Sequence, residues 1–272
     1  MTSKTNLPLK TIYSHGTVGL PMAVYGYPLA IWIPPHYAGT LGLDIATVGL
    51  ILMFARFTDV VTDPIIGELS DRWRTPIGRR KPWLLIGVPV MILGCFQLYS
   101  PSGEVGILYL LLWLTVFFLG ATMIMLPHRA WGAEMSTDYH QRSRITAARE
   151  FYYLTGLLFA AMVPMVIEIM NDGGVGVGEV FGKMWTDAMG AFTGDIMNAT
   201  PTDRSALTGP VLTALAWSIA FLLPAAAMVC LIFVKEPEKQ ITEARVPLKE
   251  GIAAILRNGP MKRILLIVLF LQ

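Results

Sequence analysis

Six long apolar segments separated by polar loops dominate the pattern along the chain. A helix needs about 20 mostly apolar residues to cross the hydrocarbon core of a bilayer, and each segment meets or approaches that length. A further apolar run begins near residue 264 and continues to residue 272. We therefore predict six membrane-spanning helices, at residues 14–36, 44–67, 83–100, 107–133, 150–170 and 211–234, followed by the start of a seventh span.

The composition supports a membrane bundle and excludes other classes of protein. Hydrophobic residues make up 54% of the 272 residues and charged residues 15%, whereas a soluble domain carries about 25% charged residues. This much apolar sequence excludes a disordered chain, and a net charge of +2 gives no reason to expect a nucleic-acid partner. Cys95 and Cys230 both lie inside apolar runs, which excludes a disulfide framework. The predicted fold class is an all-α membrane protein.

The distribution of lysine and arginine predicts the orientation of the spans. With the N-terminus in the cytoplasm, sixteen of the 21 basic residues fall on the inner side of the membrane. Because basic loops stay on the cytoplasmic side, we predict a cytoplasmic N-terminus and a multi-pass protein of the cell inner membrane. The predicted organisation is a six-helix half at 1–235, a cytoplasmic central linker at 236–262 and a truncated start of helix seven at 263–272.

The second span carries charged residues, which are costly inside a bilayer and usually face a cavity or a partner. Arg56, Asp59 and Asp63 follow the spacing i, i+3, i+7 and share one helical face, and Thr62 lies beside them. Two carboxylates about 6 Å apart repel by roughly 3 kcal/mol at an effective dielectric near 20, and a bound cation or proton removes that repulsion. Hard oxygen ligands suit Na⁺ or H⁺. The alternative is that Arg56 only neutralises Asp59 and holds helices together.

Several polar residues near the ends of the other spans are candidates for contact with a solute. Pro127 can interrupt span four and free backbone carbonyls beside the histidine and arginine that follow it. The alternatives are that these residues anchor the helices at the membrane interface or pack in the core. The substrate-binding candidates are Tyr25, His128, Arg129, Trp131, Arg149 and Glu150.

Two sequence stretches in and after the second span resemble a known family. Residues 57–67, FTDVVTDPIIG, and residues 70–83, SDRWRTPIGRRKPW, closely resemble the glycoside-pentoside-hexuronide cation symporters, which are melibiose-permease-like members of the major facilitator superfamily. The resemblance covers most of residues 10–165. It implies a twelve-helix transporter with two six-helix halves and alternating access. The chain then corresponds to the N-terminal six-helix bundle plus the start of the seventh helix, and we expect the C-terminal half to be missing.

The resemblance also implies roles for particular residues. Its cation site falls on Asp59, Thr62, Asp63 and Thr122, with Na⁺, Li⁺ or H⁺ as coupling ion and no cofactor. Met125 stands where the family has a sugar-binding aspartate, and span one has no acidic residue. An anionic solute such as a hexuronide or another organic acid therefore becomes a reasonable expectation. The ion pairs expected to favour one conformation involve Arg56, Asp71, Arg72, Arg79, Arg80 and Lys81.

Three functions remain open at the level of the sequence. The first is cation-coupled symport of a sugar, glycoside or hexuronide-like solute across the bilayer. The second is a lysolipid or lipid carrier on the same scaffold, and the third is a non-transporting assembly factor. Enzyme motifs are absent from the sequence, so we do not expect an enzyme.

Overall fold

The computed structural model describes residues 7–171, 201–236 and 258–259, and this part of the chain is α-helical without a β-strand. The chain divides into two compact units, Met1–Pro237 and Glu238–Gln272. All the helices named below belong to the first unit. The central linker at 236–262 and the seventh helix at 263–272 fall almost entirely outside the described residues, so they stay predictions.

Eight α-helices and one short π-helix make up the described part of the bundle. The α-helices are α1 (Leu9–Gly16), α2 (Gly19–Ile31), α3 (Ile33–Pro35), α4 (Ile45–Arg72), α5 (Lys81–Tyr99), α6 (Ile107–Glu134), α7 (Tyr139–Asn171) and α8 (Pro201–Phe233), and the π-helix is His36–Thr40.

The helices confirm a polytopic membrane protein. Five of the described helices are long and apolar enough to cross a membrane, and the count becomes six when the bent pair Leu9–Ile31 and Ile33–Thr40 forms one span. The first span, predicted at 14–36, corresponds to this pair, whose two parts meet at an angle of 46°. The consecutive prolines Pro34 and Pro35 lack backbone donors and crowd the preceding turn, which breaks the helix here.

Span five also differs from its prediction, since α7 begins at Tyr139 rather than at residue 150. The Asp138 carboxylate explains this early start. Its Oδ1 accepts hydrogen bonds from the backbone N–H groups of His140 (2.9 Å) and Gln141 (3.2 Å), which would otherwise lack partners in the first turn. The polar first turns of α7 are therefore helical, although an apolar-length criterion excludes them.

Small residues set how closely the spans approach each other. A Cβ atom on Gly120 of α6 would lie 2.6 Å from the backbone nitrogen of Met91 on α5. Similarly, a Cβ atom on Gly19 of α2 would lie 2.5 Å from the carbonyl oxygen of Arg149 on α7. Such contacts bring helix backbones together in a membrane, where packing replaces the hydrophobic effect as the attraction between helices. The second contact positions Arg149 beside span one.

Candidate functional site

The acidic face of α4, defined as Asp59, Thr62 and Asp63, lies in the middle of a helix of 28 residues. Asp44 caps this helix, because its Oδ2 accepts the backbone N–H of Thr47 at 2.9 Å. From that start, the helical period brings the acidic face onto one side. Arg56 stands one turn earlier, with its Nη1 3.9 Å from Asp59 Oδ2 and its guanidinium 4.7 Å from the centroid of the Phe118 ring on α6.

Three oxygen atoms on this acidic face are buried and lack a hydrogen-bond partner among the described residues. They are Asp59 Oδ1, Thr62 Oγ1 and Asp63 Oδ1. Buried polar atoms are nearly always paired, so three such atoms on one helical face make this face the candidate ligand site among the described residues. Arg56 approaches only Oδ2 of Asp59 and is itself 67% exposed, so this arginine leaves the three oxygens unsatisfied.

Thr122 of α6 lies at the same level as Asp63. Helices α4 and α6 run in the same direction, because Arg56 contacts Phe118 and the Cβ position of Gly67 lies 3.2 Å from a side-chain carbon of Leu126. Asp63 precedes Gly67 by four residues, and Thr122 precedes Leu126 by four residues. One helical turn before that contact, Asp63 and Thr122 therefore occupy matching positions on neighbouring helices.

A cavity of about 140 Å³ lies among α2, α6 and α7. Five of the six predicted substrate residues line it, and five further residues complete the lining. The five are Tyr25, His128, Arg129, Arg149 and Glu150, and the others are Val18, Gly19, Met22, Met125 and Tyr153. The helix contacts at Gly19 and Met125 explain why residues far apart in the sequence meet in this cavity.

The lining of this cavity combines cationic groups with methionine and tyrosine side chains. Arg149 donates through Nε (3.1 Å) and Nη2 (2.7 Å) to Glu150 Oε1. Arg129 is exposed and makes no ion pair within the described part of the chain. Elsewhere in the lining, the Tyr25 hydroxyl donates to the sulfur of Met125 at 3.3 Å. The cavity therefore has one cation neutralised by a neighbour, a second cation without an ion pair among the described residues, and no carboxylate at position 125.

Trp131, the sixth predicted substrate residue, does not line the cavity. It is fully buried, and its ring meets the ring of His15 edge-on at a centroid distance of 5.9 Å. We correct its expected position from the substrate site to the helix core. Its indole lies inside the bundle because it packs against His15 at the start of span one.

The histidines of the first and fourth spans form a pair that the sequence did not reveal. The rings of His15 and His128 stack at a centroid distance of 4.0 Å. Each Nε2 reaches the backbone oxygen of the other residue, at 3.2 Å for His15 and 2.9 Å for His128. This reciprocal bonding fixes the His128 side of the cavity. A histidine within an apolar run could have indicated a buried polar contact, but the identity of its partner depends on how two distant helices pack.

A cluster of ion pairs, here called the basic-end network, consists of Arg79, Arg80, Asp71, Glu134 and Ser70. Arg79 Nη2 lies 2.7 Å from Glu134 Oε2, and Arg80 Nη2 lies 2.8 Å from Glu134 Oε1. Arg80 also pairs with Asp71 and donates from Nη1 to Ser70 Oγ at 2.7 Å. Two arginines therefore hold the two oxygens of one carboxylate, which is the strong, charge-assisted form of hydrogen bond.

The remaining residues predicted to form ion pairs have other partners. Arg72 pairs with Glu68 within α4, and Arg56 pairs loosely with Asp59. Lys81 has no ion pair within the described residues, and its Nζ donates to the backbone oxygen of Leu231 at 2.9 Å. Only Asp71, Arg79 and Arg80 of the predicted set therefore meet in one network.

These features define a polytopic helical bundle of the transporter type, with an acidic face, a central cavity and an ion-pair network at one end. The chain belongs to the MFS/sugar transport protein family, which matches residues 14–272. This membership confirms the resemblance in the sequence, the helical fold class and the prediction that the chain is not an enzyme.

Known relatives carry names that agree with this family. The chain is 30% identical over 152 residues to YagG of Escherichia coli (strain K12), described provisionally as a glycoside/cation symporter, with 54% of the chain and 33% of YagG covered. It is 28% identical over 181 residues to the inner membrane symporter YicJ of the same strain, with 62% and 39% covered. It is 24% identical over 275 residues to the sodium-dependent lysophosphatidylcholine symporter 1 of Mus musculus, with 96% and 49% covered. The chain spans less than half the length of these relatives.

Proposed function

We propose that the protein is a cation-coupled symporter that carries a polar or anionic solute, such as a sugar, glycoside or hexuronide, by alternating access. The acidic face of α4 binds the coupling ion, Na⁺, Li⁺ or H⁺, and the cavity among α2, α6 and α7 binds the solute. The observation that carries this proposal is the set of three buried, unpartnered oxygens on Asp59, Thr62 and Asp63. They offer the hard oxygen ligands that such cations prefer.

Coupling follows from the position of the acidic face relative to the cavity. Arg56 contacts Phe118 of α6, and Phe118 belongs to the helix that also supplies Met125, His128 and Arg129 to the cavity. A cation on Asp59 and Asp63 competes with Arg56 for the carboxylates and so acts on the α4–α6 contact. Because coupling free energy is reciprocal, a solute that binds better in the cation-loaded state also raises the affinity for the cation.

The proposed activity belongs to a protein with a second helical half. The relatives are longer than this chain, and the solute cavity of such a carrier lies between two halves. We place the protein in the cell inner membrane with a cytoplasmic N-terminus. The support is the concentration of basic residues on one side of the spans and the description of YicJ as an inner membrane symporter.

The cavity lining favours an anionic group on the solute. The unpartnered Arg129 offers a guanidinium to a carboxylate or phosphate, and Arg149 can exchange Glu150 for such a group. Met125 offers no carboxylate to the hydroxyl groups of a neutral sugar. A hexuronide or another organic acid therefore suits the described half of the site better than a neutral galactoside.

A lysolipid is the second candidate solute. Two methionines and Tyr25 give the cavity an adaptable, mostly apolar part of its lining beside the arginines, which suits a lipid that carries both an acyl chain and a phosphate group. The mouse lysophosphatidylcholine symporter aligns with 96% of the chain, which supports this candidate.

Gradient-driven uptake tests the proposal. The full-length protein in proteoliposomes is presented with radiolabelled glycosides, hexuronates, small organic acids and lysophosphatidylcholine, each with and without an inward Na⁺ or proton gradient. We expect at least one solute to accumulate only with a gradient. Competition by lysophosphatidylcholine but not by hexuronates would select the second candidate. Absence of gradient-driven uptake across the panel, with a correctly folded protein, would contradict symport and favour a non-transporting assembly factor.

A further inference from the structure

A groove separate from the solute cavity runs between α1 and α7, near the start of both helices. Its volume is about 410 Å³. The residues from α1 that line it are Leu9, Ile12 and Tyr13, and α7 contributes Arg144 and Phe151 with the two alanines between them. The lining includes none of the predicted substrate residues, so this α1–α7 groove is a second candidate site.

Arg144 is the charged residue of this lining. It is exposed and forms no ion pair with any residue that the structure describes. The lining contains no acidic side chain, so a cationic group on a ligand would meet no partner there. A guanidinium in this setting favours a ligand that carries a phosphate or a carboxylate.

The rest of the α1–α7 groove is largely apolar and extends from Arg144 along the helices. Leu9 and Phe151 are each 61% exposed, and Tyr13 is 49% exposed. Phe151 follows Arg144 by seven residues, which places it about 10 Å further along α7 and towards the centre of the bilayer. A cation at the end of the span and an apolar channel beyond it match the polarity of a phospholipid, whose headgroup lies at the membrane surface. Basic pockets between membrane helices bind lipid headgroups in this way.

The helical period shows which way the α1–α7 groove faces. Arg149 and Glu150 of α7 line the solute cavity, whereas Phe151 lines the groove. Phe151 follows Arg149 by two residues, which is about 200° around the helix. The groove therefore opens on the side of α7 that is turned away from the solute cavity. In the carrier that we propose, the second half lies across that cavity, so the groove faces the surrounding lipid.

The contact between α1 and α7 beside this groove is small. Ile12 of α1 packs with Ile145 and Ala148 of α7 in a hydrophobic cluster that is separate from the main core. The exposed rings of Tyr13 and Phe151 border this cluster. An acyl chain that covers both rings extends the cluster and adds to the apolar area that α1 and α7 bury together.

We propose that the α1–α7 groove binds one anionic phospholipid of the adjacent leaflet, with its phosphate on Arg144 and an acyl chain along Tyr13 and Phe151. The lipid holds α1 against α7 and is a structural ligand rather than a transported solute. This inference goes beyond the proposed transport function, because it concerns neither the solute cavity nor the acidic face. Its tests measure binding and stability, so it can fail or succeed whether or not the protein transports a solute.

The first test compares two lipids on the full-length protein in detergent by native mass spectrometry. We expect one phosphatidylglycerol, which is anionic, to bind more tightly than phosphatidylcholine, which carries a cationic group. Arg144→Gln should weaken the binding of phosphatidylglycerol about tenfold, the effect of losing one charge-assisted interaction. Arg74→Gln is the matched control, because Arg74 is also exposed but lies outside the groove, and it should change the affinity less than about twofold. Equal affinities for the two lipids, or equal affinities in the two variants, would overturn the proposal.

A second test addresses the acyl chain without removing a charge. Ala147 is exposed in the lining, so Ala147→Phe fills the groove between Arg144 and Phe151. Displacement of about two CH₂ groups of the chain corresponds to a roughly tenfold weaker affinity for phosphatidylglycerol. Phosphatidylglycerol should also raise the thermal unfolding midpoint of the unmodified protein more than that of Ala147→Phe or Arg144→Gln, since a ligand stabilises the state that binds it.

Two other occupants of the groove give different results in these measurements. If the second half of the protein covers the groove, phosphatidylglycerol leaves the unfolding midpoint unchanged and neither variant differs from the unmodified protein in lipid binding. If a free anion occupies Arg144, inorganic phosphate at the concentration of the lipid displaces phosphatidylglycerol. Either result would contradict the lipid site.

Discussion

The acidic face of α4 and the basic-end network differ in how completely their charged groups are paired. On the acidic face, three buried oxygens have no partner among the described residues, and the nearest cation contacts only Asp59 at 3.9 Å. In the basic-end network, both oxygens of Glu134 are held by guanidinium groups at 2.7 and 2.8 Å. The two regions share one helix, because Ser70 and Asp71 of the basic-end network lie on α4.

This difference is the one expected between the cation site that we propose on α4 and a set of ion pairs that stabilises one arrangement of the helices. Unsatisfied buried carboxylates cost free energy in the absence of a ligand, and a cation recovers that cost when it binds. Carboxylates that are already paired gain little free energy from a cation, so they stabilise the arrangement in which the pairing occurs. The following changes test the contrast from its largest expected effect to its smallest.

Arg80→Met should have the largest effect on stability. The Arg80 side chain is 4% exposed and bonds Ser70, Asp71 and Glu134, so its loss leaves a partly buried carboxylate and a hydroxyl without this partner. Breaking a buried ion pair by removing one member costs about 3–5 kcal/mol. We expect a large fall in the thermal unfolding midpoint of the full-length protein in detergent. Arg74→Gln, which removes an exposed arginine, is the control and should leave the midpoint nearly unchanged. A similar small shift for both variants would contradict the assignment.

Asp63→Asn should raise the stability of the protein in cation-free buffer, whereas Arg80→Met lowers it. In cation-free buffer, removal of one of two neighbouring carboxylates relieves about 1–3 kcal/mol of repulsion. Added Na⁺ or lower pH should then raise the unfolding midpoint of the unmodified protein but not that of the variant, because a bound ligand stabilises only the state that binds it. Asp44→Asn on the same helix is the matched control, since asparagine caps a helix as well as aspartate. Destabilisation by Asp63→Asn in cation-free buffer would show that the carboxylate has a structural partner instead.

Thr62→Val should weaken cation binding without a loss of stability. The Thr62 hydroxyl has no partner among the described residues, so valine removes a ligand and leaves no donor unsatisfied. Loss of one oxygen ligand worth about 1 kcal/mol corresponds to a roughly fivefold weaker affinity. Thr58→Val is the matched control, because the Thr58 hydroxyl already donates to the Ala55 carbonyl at 2.6 Å. Calorimetric titration with Na⁺ or protons measures both variants, and an equal affinity for the two would remove Thr62 from the cation site.

Asp71→Asn should have the smallest effect. The Asp71 side chain is 59% exposed, and Arg80 keeps Glu134 and Ser70 as partners after the change. An exposed member of an ion pair contributes about 0–1 kcal/mol. The thermal unfolding midpoint should therefore fall by much less than in Arg80→Met. A fall of equal size would mean that Asp71, and not Glu134, is the main acceptor for Arg80.

The parts of the site that the sequence predicted depend on the period of one helix. Asp59, Thr62 and Asp63 fall on one face wherever the second span forms a helix, so their grouping required no knowledge of other helices. The cluster of arginines after this span was equally visible as a local run of charge. The extent of the apolar runs likewise predicted most of the helix bounds.

The parts that the sequence did not predict depend on contacts between helices far apart in the chain. Glu236 reaches α5 across more than 150 residues of sequence, and His15 meets His128 across 113. Trp131 was among the residues expected to contact the solute, but its direction is set by packing against His15 of span one. The break after Ile31 involves backbone geometry at two prolines, which an apolar-length criterion does not register.

The ratio of solute uptake with and without a cation gradient, measured for Asp63→Asn in proteoliposomes of the full-length protein, tests the central claim most directly. Because we propose that the acidic face of α4 binds the coupling cation, uptake by the variant should lose its dependence on the gradient and its ratio should fall to about one, while Asp44→Asn keeps the ratio of the unmodified protein. A gradient dependence in Asp63→Asn equal to that of the unmodified protein would contradict the account.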